Sequence, residues 1–283
     1  MKKIFGLFLG LVMSMSWVRA DQDMIQIKGS DTMVNLAQAW AERFMEIKPE
    51  IIIAVTGGGS GTGIAALING TCDLATSSRS MKLEEIEQAK AKGRDVKESV
   101  VGLDALTVAI HPSNPIQQLT IDQLSDIFSG KVTNWKDVGG QDRLIAALSR
   151  ERNSGTHVFF LEHVVRRGND KGPEEFDPRI LMLPSSQVIA EEVAQNPDAI
   201  GYFGLGYLTD QHKAIAIAKT SEGPFVKPSV ETASDGSYLI ARSLLVYTPG
   251  EPQAGIKDFV DFILSEEGQT IVREMDFVPL KKS

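Results

Sequence analysis

Four turns in this 283-residue chain place Gly, Ser and Thr just ahead of helix-like segments. They are Gly29-Ser30-Asp31-Thr32, Gly57-Gly58-Gly59-Ser60-Gly61-Thr62-Gly63, Thr76-Ser77-Ser78-Arg79-Ser80 and Ser149-Arg150-Glu151-Arg152-Asn153-Ser154-Gly155-Thr156. A helix N-terminus carries unsatisfied N–H groups and about half a positive charge. Glycine lets a backbone come close to a ligand, and hydroxyls donate or accept. Together these make an anion site, to which Arg150 adds charge-assisted donors suited to a tetrahedral oxyanion. Each turn taken alone is equally a plain N-cap, because Ser, Thr and Asp are the preferred caps. It is the recurrence of four such turns that points to a ligand.

Other chemistries fit less well. Gly61-Thr62-Gly63-Ile64-Ala65-Ala66 matches a short dinucleotide pattern after a strand, but a nicotinamide cofactor is unexpected in an exported protein. No Lys stands where a phosphate loop of the Walker type needs one. No G-x-S-x-G elbow occurs, and His111, His157, His163 and His212 show no metal-protease spacing. A hydrolase would need Ser60 or Ser154 as nucleophile, and neither has a base nearby in sequence. The single cysteine, Cys72, allows no disulfide within the chain and no cysteine metal cluster. Its apolar neighbours predict a buried thiol. No catalytic residue, metal or cofactor is therefore expected.

The elements that position these turns alternate. Residues 24–28, 51–55, 106–110, 145–148 and 243–247 read as strands. Residues 33–47, 84–92, 122–128, 157–165, 187–194 and 256–275 read as helices, the last as one long helix. Such alternation predicts α/β layers with mostly parallel sheets. The net charge is −8, from 29 Lys and Arg against 37 Asp and Glu, which disfavours nucleic-acid binding. Residues 1–20 read as a signal peptide: Lys2 and Lys3, an apolar run from 4 to 15, and Val18-Arg19-Ala20 as the cleavage site. The run is too short to span a membrane. Cleavage after Ala20 removes three cations and no anions, leaving −11. No Cys lies near that point to carry a lipid, so a soluble, periplasmic protein is expected.

Three more segments matter: 119–135 (LTIDQLSDIFSGKVTNW), 199–207 (AIGYFGLGY) and 264–280, with LSEEGQ and FVPL at its ends. With the four turns, in order, they span essentially the whole chain after residue 20. The set resembles the periplasmic phosphate-binding proteins of phosphate ABC transporters, the PstS family. The resemblance implies an α/β, two-lobed periplasmic binding protein fold of type II, hinge-linked, with the ligand in the cleft between lobes. Lobe one is expected at 21–108 plus 240–283 and lobe two at 109–239. Thr32, Ser60, Ser78, Arg150, Ser154, Gly155 and Thr156 match phosphate-holding positions. Ser30, Asp31, Gly61, Thr62 and Arg79 complete the candidate contacts from the same turns. The implied partners are inorganic phosphate and a membrane permease, and a cleft-closing receptor of this kind is expected to work as a monomer. One position departs: many family members carry Asp where this chain has Ser78, and Asp31 or Glu151 are the carboxylates placed to substitute. A receptor for another tetrahedral oxyanion (sulfate or molybdate) and an exported phosphatase-like enzyme are the alternatives.

Overall fold

The computed structural model of the chain describes residues 23–281. The expected signal peptide lies outside them. The strands and helices are β1 (Asp23–Gly29), α1 (Val34–Ile47), β2 (Ile51–Thr56), α2 (Ser60–Asn69), β3 (Leu74–Ser77), α3 (Leu83–Ala91), β4 (Lys97–Ala105), β5 (Thr107–Ile110), β6 (Gln118–Thr120), α4 (Ile121–Phe128) and β7 (Ala146–Arg150). They continue with α5 (Gly155–Phe160), β8 (Leu181–Leu183), α6 (Ser186–Gln195), β9 (Ala199–Phe203), β10 (Lys213–Ala214), β11 (Ala216–Ala218), α7 (Val230–Ser234), β12 (Ala241–Thr248), α8 (Ala254–Leu264) and α9 (Glu266–Glu274).

Two five-stranded sheets organise them. The first has the order β2-β1-β3-β12-β4, the second β10-β5-β9-β7-β8, and β6 pairs with β11 in a small third sheet. Both large sheets are mixed rather than mostly parallel. In the first, β1 runs parallel to β2 and β3 while β12 is antiparallel to β3 and β4. In the second, β7 is parallel to β8 and β9 while β5 is antiparallel to β9 and β10.

Alternate residues of the central strands feed opposite cores, as the pleat requires. On β12, Leu244 and Val246 join the core under α1 and α8, where Phe44 meets Phe259 edge-on at 5.2 Å. Leu245 and Tyr247 face the other way, onto α2 and α3. A side chain at Gly63 of α2 would lie 2.4 Å from the Lys28 carbonyl, so only glycine lets α2 pack this closely on β1. In the second sheet Val108, Ile200 and Tyr202 pack under α4 and α5, and Tyr202 stacks on Phe160 at 3.8 Å. Ala109, Ala199 and Phe203 face α6.

Residues 256–275 do not form one helix. Ser265 adopts φ −69°, ψ 168°, ends α8 and caps α9 by accepting the Gly268 N–H at 3.2 Å. A serine that caps better than it propagates a helix thus breaks the apolar run in two. α5 gives way to a π-helical turn over Leu161–Val165.

Candidate anion-binding site

The four turns fall at the carboxyl ends of β1, β2, β3 and β7, where open α/β sheets present ligand sites. The first three belong to the first sheet and the fourth to the second, and the two groups face each other. Thr32 Oγ1 lies 2.8 Å from Thr156 Oγ1. Ser60 Oγ accepts the Ser78 N–H at 3.1 Å and sits 3.4 Å from Ser78 Oγ. A Cβ on Gly155 would lie 2.3 Å from Ser60 Oγ and 2.8 Å from Ser78 Oγ, so the start of α5 presses directly on both serines. Thr32, Ser60, Ser78, Ser154 and Thr156 are all buried.

Arg150, the cation that opens the fourth turn, is 1% exposed. Nη1 donates to Ser186 Oγ at 2.9 Å, Nη2 to the Pro184 carbonyl at 2.8 Å and Nε to the Leu183 carbonyl at 3.4 Å. Across the gap its Nη1 pairs with Asp31 at 2.9 Å. Asp31 also accepts the Ser186 N–H at 2.8 Å, and its carbonyl accepts the Tyr207 hydroxyl at 2.9 Å. Asp31 therefore clasps the opposite body at three points. Ser30 Oγ, in the same turn, is buried without a hydrogen-bond partner. A buried hydroxyl in that condition costs about 1–3 kcal/mol, which a ligand oxygen would relieve.

Other residues from the sequence reading have their own partners. Thr62 donates to the Gly58 carbonyl at 2.7 Å and accepts from Asn153 at 3.2 Å, on the rim. Gly61 gives its N–H to the Asn153 carbonyl at 2.9 Å. Arg79 turns away and grips Glu85 through Nη1 at 2.8 Å and Nη2 at 2.7 Å. Ser154 Oγ caps α5 by accepting the Thr156 and His157 N–H groups. Glu151 is exposed, which leaves Asp31 as the carboxylate nearer the cluster.

Sequence reasoning missed Asp104, Arg242, Ser186 and Tyr207. Asp104 and Arg242 form a buried ion pair at 2.7 Å. Each is a lone charge within an apolar run, which was the available signal. Asn153 stood inside the fourth turn, yet its role as a bridge to Gly58 at 2.8 Å needed the fold.

Behind Arg150, Ser149 Oγ lies 2.6 Å from the Tyr202 hydroxyl and 3.3 Å from His157 Nδ1. Burial pushes the His157 imidazole down from 6.5 to about 4. Below about pH 6.5 the unfolded chain binds a proton at this residue that the folded chain refuses, so stability falls as pH falls toward 4. Acidification from pH 7 to 5 should cost about 2 kcal/mol from this residue, at roughly 1.4 kcal/mol per pH unit at most. Urea unfolding at both pH values checks this: His157→Gln should lose that part of the pH dependence.

The comparisons agree with one another. The family model described as the PBP superfamily domain matches residues 18–267. The phosphate-binding protein PstS of Pseudomonas aeruginosa is 32% identical, over 89% of this chain and 81% of that protein. PstS of Bacillus subtilis is 34% identical, over 90% of this chain and 80% of that protein. A Clostridium perfringens crystal structure, described as a phosphate ABC transporter substrate-binding protein with bound phosphate, superposes with a TM-score of 0.81 at 33% identity. It covers 92% of this chain and 100% of that one. The chain belongs to the PBP superfamily and, within it, to the PstS phosphate-binding proteins.

Proposed function

We propose that this chain captures inorganic phosphate between its two sheets and delivers it to the permease of an ABC transporter. The family is one of binding proteins rather than enzymes. The observation that carries the reading is the meeting of buried hydroxyls from both sides of the cleft, Thr32 with Thr156 and Ser60 and Ser78 with the start of α5, beside the buried Arg150–Asp31 pair. Charge-assisted hydrogen bonds contribute roughly 1.5–3 kcal/mol each, and micromolar binding needs about 8 kcal/mol. Several such bonds suffice. The acidic net charge opposes an anion only weakly, because salt screens it over about 8–10 Å while the buried dipoles act at contact.

The lobes we assign are 21–106 with 240–283, and 107–239, because β5 enters the second sheet at Thr107. A ligand touching both favours the closed arrangement, which is the form that would dock on the permease. A monomer suffices, since each chain carries both walls of its cleft. Export with removal of residues 1–20 places the chain outside the cytoplasm. No helix among the described residues is long and apolar enough to cross a membrane.

A second reading, sulfate, follows from a specific observation. Asp31 and Asp104, the carboxylates at the cluster, are paired with Arg150 and Arg242, and Ser78 carries no charge. Refusal of a fully deprotonated anion requires a buried acceptor that such an anion leaves unpaired. Calorimetry on residues 21–283, freed of phosphate and titrated with phosphate and then sulfate, tests both readings. Tight one-to-one phosphate binding is expected, and no binding of either anion overturns them. Ser78→Asp should raise the phosphate-over-sulfate ratio roughly 5- to 150-fold, from the cost of about 1–3 kcal/mol for an unpaired buried acceptor. An unchanged ratio assigns discrimination to another group, with Asp31 the first to test.

A further inference from the structure

Asp104 and Arg242 lie where the chain passes between the two sheets. Asp104 is the next-to-last residue of β4, and the second sheet begins at Thr107 on β5. Arg242 is the second residue of β12, just after the return. The two are direct ladder partners, as are Ala105 and Ala241 beside them. The passage is tied by the Leu106 N–H donating to the Ile240 carbonyl at 3.1 Å and the Tyr238 hydroxyl donating to the Leu106 carbonyl at 2.8 Å.

The arms of this pair end on the site and on both bodies. Asp104 Oδ2 accepts Arg242 Nε at 3.0 Å and Nη2 at 2.7 Å, while Oδ1 accepts the Leu205 N–H at 3.0 Å. Arg242 Nη2 reaches Thr32 Oγ1 at 3.4 Å, the hydroxyl that meets Thr156 across the gap. Nη1 donates to the Ser78 carbonyl at 3.4 Å, and the guanidinium lies 5.5 Å from the Phe159 ring centroid. The Arg242 side chain is 2% exposed and that of Asp104 0%. Burial of an ion pair is a poor source of stability, since apolar replacements of similar volume are often neutral or stabilising. What distinguishes this pair is where its donors point.

We propose that Arg242, held by Asp104, is a positioning residue of the anion site that couples its occupancy to the angle between the crossing strands. Its charge lies behind Thr32 and Ser78 and its N–H groups fix both. A ligand drawn onto those residues therefore pulls on the two strands that join the lobes. The inference rests on the phosphate reading.

The test is phosphate calorimetry with melting curves on wild type, Arg242→Lys and the double variant Asp104→Leu/Arg242→Met. The double variant removes both charges together, so no uncompensated charge remains. It leaves the buried Leu205 N–H without its acceptor, so it should stay folded but melt several degrees below wild type, and bind phosphate at least 30-fold more weakly. Arg242→Lys keeps the charge opposite Asp104 but loses the fork that reaches Thr32 and Ser78, and should bind about tenfold more weakly. If either folded variant binds phosphate within threefold of wild type, the pair is only structural and the proposal falls. Should the double variant not fold, Arg242→Lys decides alone. A wild-type chain that binds no phosphate in the same titration overturns the phosphate reading and this inference with it.

Discussion

Arg150→Ala is expected to weaken phosphate binding by at least about 100-fold, while Arg152→Ala stays within about threefold. The two guanidiniums are two residues apart in sequence but differ entirely in setting. Arg150 is buried and held by Ser186, Pro184 and Leu183 on its own side of the cleft. Its ion pair with Asp31 also makes it part of the clasp between the bodies. Arg152 is exposed. Loss of Arg150 removes a desolvated charge from the anion and leaves Asp31, a carboxylate beside the first turn, without its counter-ion. Each charge-assisted bond is worth roughly 1.5–3 kcal/mol, and each 1.4 kcal/mol is about tenfold in affinity. Loss of the guanidinium's direct attraction, with the added repulsion from an unpaired Asp31, reaches 100-fold without further contributions. Arg150→Lys separates charge from geometry: it keeps the cation, loses the fork and should fall between the two. Calorimetry with a parallel melting curve for each variant checks the series. Equal losses for Arg150→Ala and Arg152→Ala would remove Arg150 from the site.

Much of this arrangement could be read from the chain because its signals were local. Residues 51–55 are apolar and β-branched and form β2; Ser154 precedes α5 and caps it; Trp40 and Phe44 share a face of α1 and are buried. Strands read at 24–28, 51–55 and 145–148 led into three of the small-residue turns, while β3, ahead of the third, was not read. What was illegible depended on pairing. β4 exposes the apolar Val100 and buries the charged Asp104, against what their types suggest, and its partner β12 lies some 140 residues further along. That separation is also why Asp104 and Arg242 looked like isolated charges. Nothing local distinguishes a charge inside a strand that will meet its opposite from one that will face water. Arg79, whose place beside the third turn suggested an anion contact, is a local case instead. Glu85 stands six residues on, at the third position of α3, where its carboxylate also accepts the Lys82 N–H at 2.8 Å and takes both Arg79 arms. Spacing placed Arg79 correctly on the chain, but the direction of its side chain was set by that helix start.

Gly155→Ala is expected to weaken phosphate binding at least about 100-fold while leaving the free chain folded. The added methyl would sit 2.3 Å from Ser60 Oγ, 2.9 Å from Ser60 Cβ and 2.8 Å from Ser78 Oγ. Ser60 and Ser78 are themselves buried, so neither can swing aside into solvent. The clash exists only while the start of α5 presses on the first body. Opening the cleft by an ångström or two relieves it. Within its own lobe the substitution is harmless, because Gly155 is the first residue of α5 and alanine is the better helix former by about 1 kcal/mol. The penalty therefore falls on closure, and closure is where the hydroxyls of both walls meet the ligand. In melting curves, wild type in phosphate at 1,000 times its dissociation constant should gain about 4 kcal/mol of stability. The variant should gain at most about 1.4 kcal/mol at the same concentration, since a 100-fold weaker site is then only tenfold above its own constant. Gly250→Ala is the matched control, because a methyl there meets nothing within 4 Å. If Gly155→Ala and Gly250→Ala respond alike to phosphate, the contact between α5 and the two serines is not the one that closes on the anion.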